Sequence, residues 1–182
     1  APMPQLAQPS AASDFQVKLR LNGALLGITT AADLLRAVVE LRARGVPIEC
    51  IIHHFAGHAP ELLLAVFKSS GAKRPIVWLH DFFMLCSGYA LLRNDAEFCG
   101  APSEFSTECG TCCYGAGRSA HGIRIHAFFE ETRPCLLSPS QAGLDVWRRF
   151  KAAPFATMEV LPPARLVVKD PVLVDLSKGR EG

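Results

Sequence analysis

At 182 residues the chain is long enough to bury one α/β core and short for two. Nearly half of its residues are apolar and a fifth are charged, the balance of an ordinary globular protein, and a net charge of +2 gives no reason to expect nucleic acid or an anionic membrane as partner. No apolar run approaches the roughly 20 residues that a transmembrane segment needs, and APMPQLAQPS has neither the basic nor the apolar region of a secretory signal.

Residues 1–14 read as a disordered lead-in, 15–176 as a single domain and 177–182 as a tail. A start at Ala1 rather than Met, with the polar end LSKGREG, reads as a piece cut from something longer. From Phe15 to Leu21 apolar and polar residues alternate as in a half-exposed strand. Asn22-Gly23 is a hairpin turn signal, with Ala24 to Ile28 returning as the partner. Thr29 or Thr30 can cap the next helix and Asp33 suits its first turn. Leu34, Leu35, Val38, Val39 and Leu41 form its apolar stripe, and Gly45 supplies the terminal left-handed position after Arg42 and Arg44.

Pro47 opens a predicted strand from Ile48 to His53, followed by a turn holding His53, His54, Phe55, Gly57 and His58. Pro60 starts a helix that runs to about Ser69 and is closed by Gly71. Ile76 to Leu79 has the length and content of a buried strand, and His80-Asp81 stands at its end. Strand, helix and strand at this spacing predict a parallel sheet with right-handed crossovers. The segment from Ser87 to Arg118 is too long and too irregular for a simple connection. Beyond it come a helix from about Ala120 to Glu131 stopped by Pro134, a strand from Cys135 to Leu137, and the turn Ser138-Pro139-Ser140. A helix to about Lys151 and extended stretches at Thr157–Leu161 and Leu166–Val168 follow.

Five of the seven cysteines fall between residues 86 and 113, four of them spaced C-x12-C-x9-C-x2-C. Tetrahedral structural zinc takes four thiolate or imidazole ligands, and a C-x2-C pair is its usual cue. Cys109 and Cys112 supply that pair, Cys86 and Cys99 the other two ligands, and Cys113 an alternative fourth. The competing readings are reduced cysteines without metal, or one or two disulfides. With no secretory signal and an odd number of thiols, a reducing, cytoplasmic compartment and zinc are favoured.

Open α/β sheets carry their chemistry at the carboxyl ends of strands, where His53, His54 and His58 follow one strand and His80-Asp81 the next. An imidazole at such an edge can exchange a hydrogen bond with a substrate hydroxyl near neutral pH. The structural alternative for His80-Asp81 is a helix-start cap. His54-x3-His58 also has the spacing of two ligands on one helical face, although Pro60 places the helix start after it.

The segments IIHHFAGHAPELL, VWLHDFFMLCSGYALLRNDAEFCG, CGTCC and LLSPSQAGLDVWRRF occur in an order that resembles the N-terminal, acceptor-side domain of the group 1 (family 4) retaining glycosyltransferases. In that family a strand ends in a His-Asp-aromatic turn followed by a cysteine. Here this is His80-Asp81-Phe82-Phe83-Met84-Leu85-Cys86, with Ser87 where proline is frequent. Ser138-Pro139-Ser140 resembles the family's later Pro-Ser turn, and the likeness covers roughly Ile48 to Phe150.

The resemblance implies a Rossmann-like three-layer α/β domain with a mostly parallel sheet and a long Cys-rich loop. This half would bind a glycan or glycolipid acceptor; a second, C-terminal half would bind a nucleotide-sugar donor, with transfer retaining anomeric configuration and needing no catalytic metal. It makes His80 and Asp81 catalytic, His80 beside the reacting sugar and Asp81 shaping the turn. His53, His54 and Ser140 become substrate-binding, and Cys86, Cys99, Cys109 and Cys112 pin the acceptor-side loop. The family's donor-side pair of glutamates has no counterpart, Glu159 being the last acid before Asp170, Asp175 and Glu181, and no Gly-rich first loop is evident near Gly23 and Gly27. An acceptor half alone is therefore expected. Its rivals are a zinc-pinned protein-interaction module and a metal hydrolase built on His54, His58, His80 and Asp81.

Overall fold

A computed structural model describes residues 5–8, 14–103, 106–149 and 153–163. It is an α/β domain whose central sheet has four parallel strands, flanked by helices and accompanied by two small antiparallel hairpins. The sheet order is β3 (Ile51–Ile52), β4 (Ile76–Trp78), β7 (Cys135–Ser138), β8 (Thr157–Val160), so each strand is added beside its predecessor in one direction.

Among the described residues the first hairpin, β1 (Gln16–Leu21) and β2 (Ala24–Thr30), pairs only with itself. Asn22 and Gly23 both take positive φ, 50° and 83°, as a two-residue turn between right-twisted strands requires. Helix α1 (Ala31–Ala43) starts where expected: Thr30 Oγ1 accepts from the Asp33 N–H at 3.1 Å. Its inward face is narrower than the predicted stripe. Ala31 and Val38 are buried and Leu34 and Leu35 half-buried, at the i, i+3/i+4, i+7 positions, while Val39 and Leu41 point out.

The predicted Ile48–His53 strand pairs only at Ile51–Ile52, although the Cys50 carbonyl still accepts from Ile76 N–H at 2.9 Å. Helix α2 (Pro60–Ser70) has proline in its first turn and Gly71 left-handed at φ 71°. Helix α4 (Arg118–Thr132) starts two residues before the predicted Ala120, and Arg133 ends it at φ 42°, ahead of Pro134. Helix α5 (Gln141–Arg149) packs on β7 and β8. The end predicted for it at Lys151, the stretch Leu166–Val168 and the tail 177–182 lie outside the described residues.

The core lies between the sheet and its helices. Val77 and Leu136 from adjacent strands meet Phe55, Ile125, Phe128, Phe129, Leu144 and Trp147. At residues 5–8 the expected disordered lead-in is instead docked: Leu6 is buried in this core, Gly57 N–H donates to Gln5 O at 2.8 Å, and Ala7 N–H donates to His58 O at 3.0 Å. Burying one leucine and pairing two backbone groups offsets the entropy of ordering so short a piece. Among the described residues no helix is long and apolar enough to cross a membrane.

Candidate functional site

Strands β3 and β4 run in register, Ile52 opposite Val77, so the residues after them emerge side by side at one sheet edge. His53 Nδ1 and His80 Nε2 lie 3.0 Å apart, one donating and the other accepting. Trp78 joins them. Its ring lies 5.2 Å from His80 with planes 4° apart, and 6.1 Å from His53 with planes 10° apart. Both imidazoles are exposed and the indole half-buried, so the edge presents nearly parallel rings with polar nitrogens among them.

One step further along each chain, His54 and Asp81 form a second pair. Ala56 N–H donates to His54 Nδ1 at 2.8 Å, so the His54 proton is on Nε2, which donates to Asp81 Oδ2 at 2.6 Å. Asp81 Oδ1 accepts from Phe83 N–H at 2.9 Å. Asp81 therefore shapes the turn after β4. With Nδ1 taken by the backbone and Nε2 carrying the proton, His54 has no lone pair left for a metal ion. The whole turn rests on α4: buried His121 donates from Nε2 to Phe83 O at 2.6 Å, and its ring meets Phe83 edge-on at 4.8 Å. Burial pushes the His121 imidazole below its ordinary value, against the opposing pull of the Phe83 carbonyl.

Ser140 stands at the same edge, after β7, but its side chain serves the helix. Its Oγ accepts from Gly143 N–H at 3.2 Å, while buried Ser138 Oγ donates to Ser140 O at 2.9 Å. Gly143 admits no side chain, because a Cβ there would lie 2.8 Å from Ser138 Oγ. The sheet edge thus brings His53 against His80 and His54 against Asp81, while Ser140 follows the neighbouring strand β7. His58, also in the metal-hydrolase set, accepts Ala7 N–H at its carbonyl, and burial together with neighbouring His54 pushes its imidazole below the ordinary value. Trp78, the last residue of β4 and two before His80, belongs to the site although the sequence pattern marks it only as a strand residue. His121 and Arg118 gave no signal, since their partners are carbonyls and a thiol far along the chain.

Beyond the turn the cysteine segment folds as two short strands and one helical turn: β5 (Leu92–Arg93), β6 (Glu97–Phe98) and α3 (Thr107–Gly110). Asn94 and Asp95 make the hairpin tip with φ of 53° and 60°. Asn94 then clamps the tip to the Cys109-x2-Cys112 turn, donating to Thr111 O at 3.2 Å and accepting from Cys113 N–H at 2.8 Å. Tyr114 Oη donates to Asp95 Oδ1 at 2.5 Å, and that bond holds the phenol up to about 12.

Cys86, Cys99, Cys109 and Cys112 all line one small cavity of about 20 Å³, with Glu108, Tyr114 and Arg118. All seven cysteines are free thiols. Burial pushes the Cys86 thiol up, and nearby Cys112 and Cys99 add to the shift while Arg118 opposes it. Among the described residues no group of three or more His, Cys, Asp or Glu side chains is placed to hold a metal ion.

No protein-family model, curated protein or solved structure matches this chain. It is an α/β domain with a four-stranded parallel sheet, and no family is identified.

Proposed function

We propose that this chain is the acceptor-binding half of a retaining glycosyltransferase, a Rossmann-like domain whose carboxyl sheet edge receives a glycan or glycolipid. The observation that supports this most is the ring surface of Trp78, His80 and His53 at the end of two adjacent strands. Aromatic planes suit the C–H faces of a sugar, and the imidazole nitrogens suit its hydroxyls. His80 orients the reacting sugar, Asp81 fixes the turn that carries it, and His53, His54 and Ser140 border the acceptor. A partner domain binds the nucleotide-sugar donor, and transfer takes place where the two halves meet. The seven free thiols suit the reducing, cytoplasmic setting of this reading.

Trp78 provides the test. The chain has two tryptophans, and Trp147 is only 3 % exposed, so surface binding should alter the emission of Trp78 alone. A panel of glycans and glycolipids should yield at least one that shifts this emission saturably. His80→Ala should abolish the shift with the circular dichroism spectrum unchanged. Silence across the panel from a natively folded chain, and turnover unaffected by His80→Ala once a donor half is joined, would refute the acceptor role.

A further inference from the structure

The two turns at the histidine edge are braced by different parts of the chain. The Asp81 turn rests on α4 through buried His121. The His53-His54 turn leaves β3, a two-residue strand at the end of the sheet that pairs on one side alone among the described residues. Segments with so few ladder bonds are where local opening concentrates. The far end of this turn, Gly57-His58, is held by residues 5–8. Gly57 N–H donates to Gln5 O at 2.8 Å, and Ala7 N–H donates to His58 O at 3.0 Å. Arg124, itself paired with Glu61, donates to Ala7 O at 2.7 Å.

These are the contacts by which a groove reads a peptide. Residues 5–8 form neither helix nor turn, and among the described residues their hydrogen bonds all use main-chain atoms of Gln5 and Ala7. Between the two, Leu6 is 7 % exposed and sits in the core cluster of Phe55, Ile125 and Phe128, while Gln5 and Gln8 face solvent. In this mode main-chain bonds supply affinity and the buried side chain supplies selectivity. Phe55 belongs to the same turn as His53 and His54, so Leu6 packs in the cluster that anchors that turn. Within the turn Ala56 N–H donates to His54 Nδ1 at 2.8 Å, and His58 N–H donates to Phe55 O at 3.0 Å. Release of Gly57 and His58 therefore reaches His54 through a chain of short local bonds.

We propose that the surface formed by Phe55, Gly57, His58 and Arg124 is a peptide-recognition groove, filled by the chain's own residues 5–8 as a strap that keeps His53 and His54 opposite His80 and Asp81. Its ligand class is an uncharged, unbent peptide with one leucine. The groove reads the carbonyl of the residue before that leucine and both the N–H and the carbonyl of the residue after it. The strap sets how far the turn is ordered, whatever the edge binds, and stands or falls independently of the glycosyl-transfer reading. A tether supplies an effective concentration in the millimolar range, so an arm seated about nine-tenths of the time corresponds to a Kd on the order of 0.1 mM for the same peptide supplied free.

The test follows amide hydrogen exchange by NMR in the whole chain, with the Gly57 amide reporting whether the arm is seated. Ala7→Pro removes the N–H that His58 O accepts, and Leu6→Asp puts a charge among apolar side chains; Leu6→Ala serves where Leu6→Asp does not fold. Each should free the arm and speed exchange at Ala56 and His58 about tenfold or more, with the β4–β7 ladder unchanged. Gln5→Ala and Gln8→Ala should leave the arm seated. A capped peptide of residues 4–9, added to the Ala7→Pro chain, should restore slow exchange at Ala56 with a Kd on the order of 0.1 mM, and the same peptide carrying Leu6→Asp should not. A freed arm with Ala56 exchange unchanged would overturn the strap, as would a β4–β7 ladder that opens together with Ala56. Failure of the peptide to bind at about 10 mM, or loss of seating in Gln5→Ala or Gln8→Ala, would overturn the groove.

Discussion

The histidine edge and the cysteine loop are separated by only a few residues, from Asp81 to Cys86, yet they are built by opposite means. At the edge, side chains inherit their places from a parallel ladder, and Asp81 and His54 are each held by a backbone amide as well as by one another. In the loop the ladder shrinks to two pairs of residues. Of the six left-handed non-glycine residues among the described ones, four, Leu91, Asn94, Asp95 and Ala101, fall within it. The edge is preorganised by the fold; the loop depends on what its side chains grip.

The sharpest way to break this contrast is at the cysteines. If the cysteine side chains hold the loop, Cys109→Ser or Cys112→Ser should raise hydrogen exchange across 87–117 and leave it low in β4 and β7. Cys135→Ser, at the start of a central strand, should spare the loop. Equal exchange in all three variants would make the loop self-supporting, like the edge.

The scaffold behind the edge should respond globally instead. Phe129 is fully buried and packs on Phe55, Phe128 and Trp147 at ring separations of 6.5, 6.1 and 5.5 Å. Phe129→Ala should cost about 3–5 kcal/mol, read as a fall in the urea midpoint with edge and core unfolding together. A separate unfolding transition for the edge would mean that the sheet does not preorganise it.

What the sequence revealed divides along the same line. The Thr30 cap, the Pro60-to-Gly71 helix and the Ile76 strand are local signals, and each element formed where those signals placed it. His80-Asp81 follows a strand end, as the apolar run before it predicted, and the four spaced cysteines line one cavity. The rest depends on distant partners. Leu6 is ordered by a core assembled some fifty residues later, Arg118 and His121 bind carbonyls that no motif marks, and Val39 and Leu41 look like core residues until the helix chooses its face. Ser140 matched a motif, but its oxygen is taken up in capping α5.

A smaller effect concerns pH. The unfolded chain protonates His121 near its ordinary 6.5, whereas burial keeps the folded imidazole neutral to lower pH, with Arg124 and Arg118 adding repulsion. Above about pH 6.5 both states are neutral and the contribution is constant. Below it the unfolded state gains the proton first, so stability falls by up to about 1.4 kcal/mol per pH unit until the folded pKa is reached. His121→Gln, which keeps a donor for Phe83 O, should flatten that part of a urea-midpoint profile; an unchanged slope would assign the acid sensitivity elsewhere.

The smallest change in stability should come from the residue that matters most to the proposed chemistry. His80 is exposed, and among the described residues its one polar side-chain contact is with His53, itself exposed. His80→Ala should therefore move the unfolding midpoint by no more than about 0.5 kcal/mol. Asp81→Ala, which strands the Phe83 amide and the His54 donor, should cost about 1–2 kcal/mol, and Asp81→Asn less because an oxygen still faces Phe83 N–H. That ordering separates a side chain displayed by the fold from one the fold needs. A large loss from His80→Ala would make the ring stack a packing device rather than a sugar-facing surface, and the edge would then be held together by its own side chains, as the loop is.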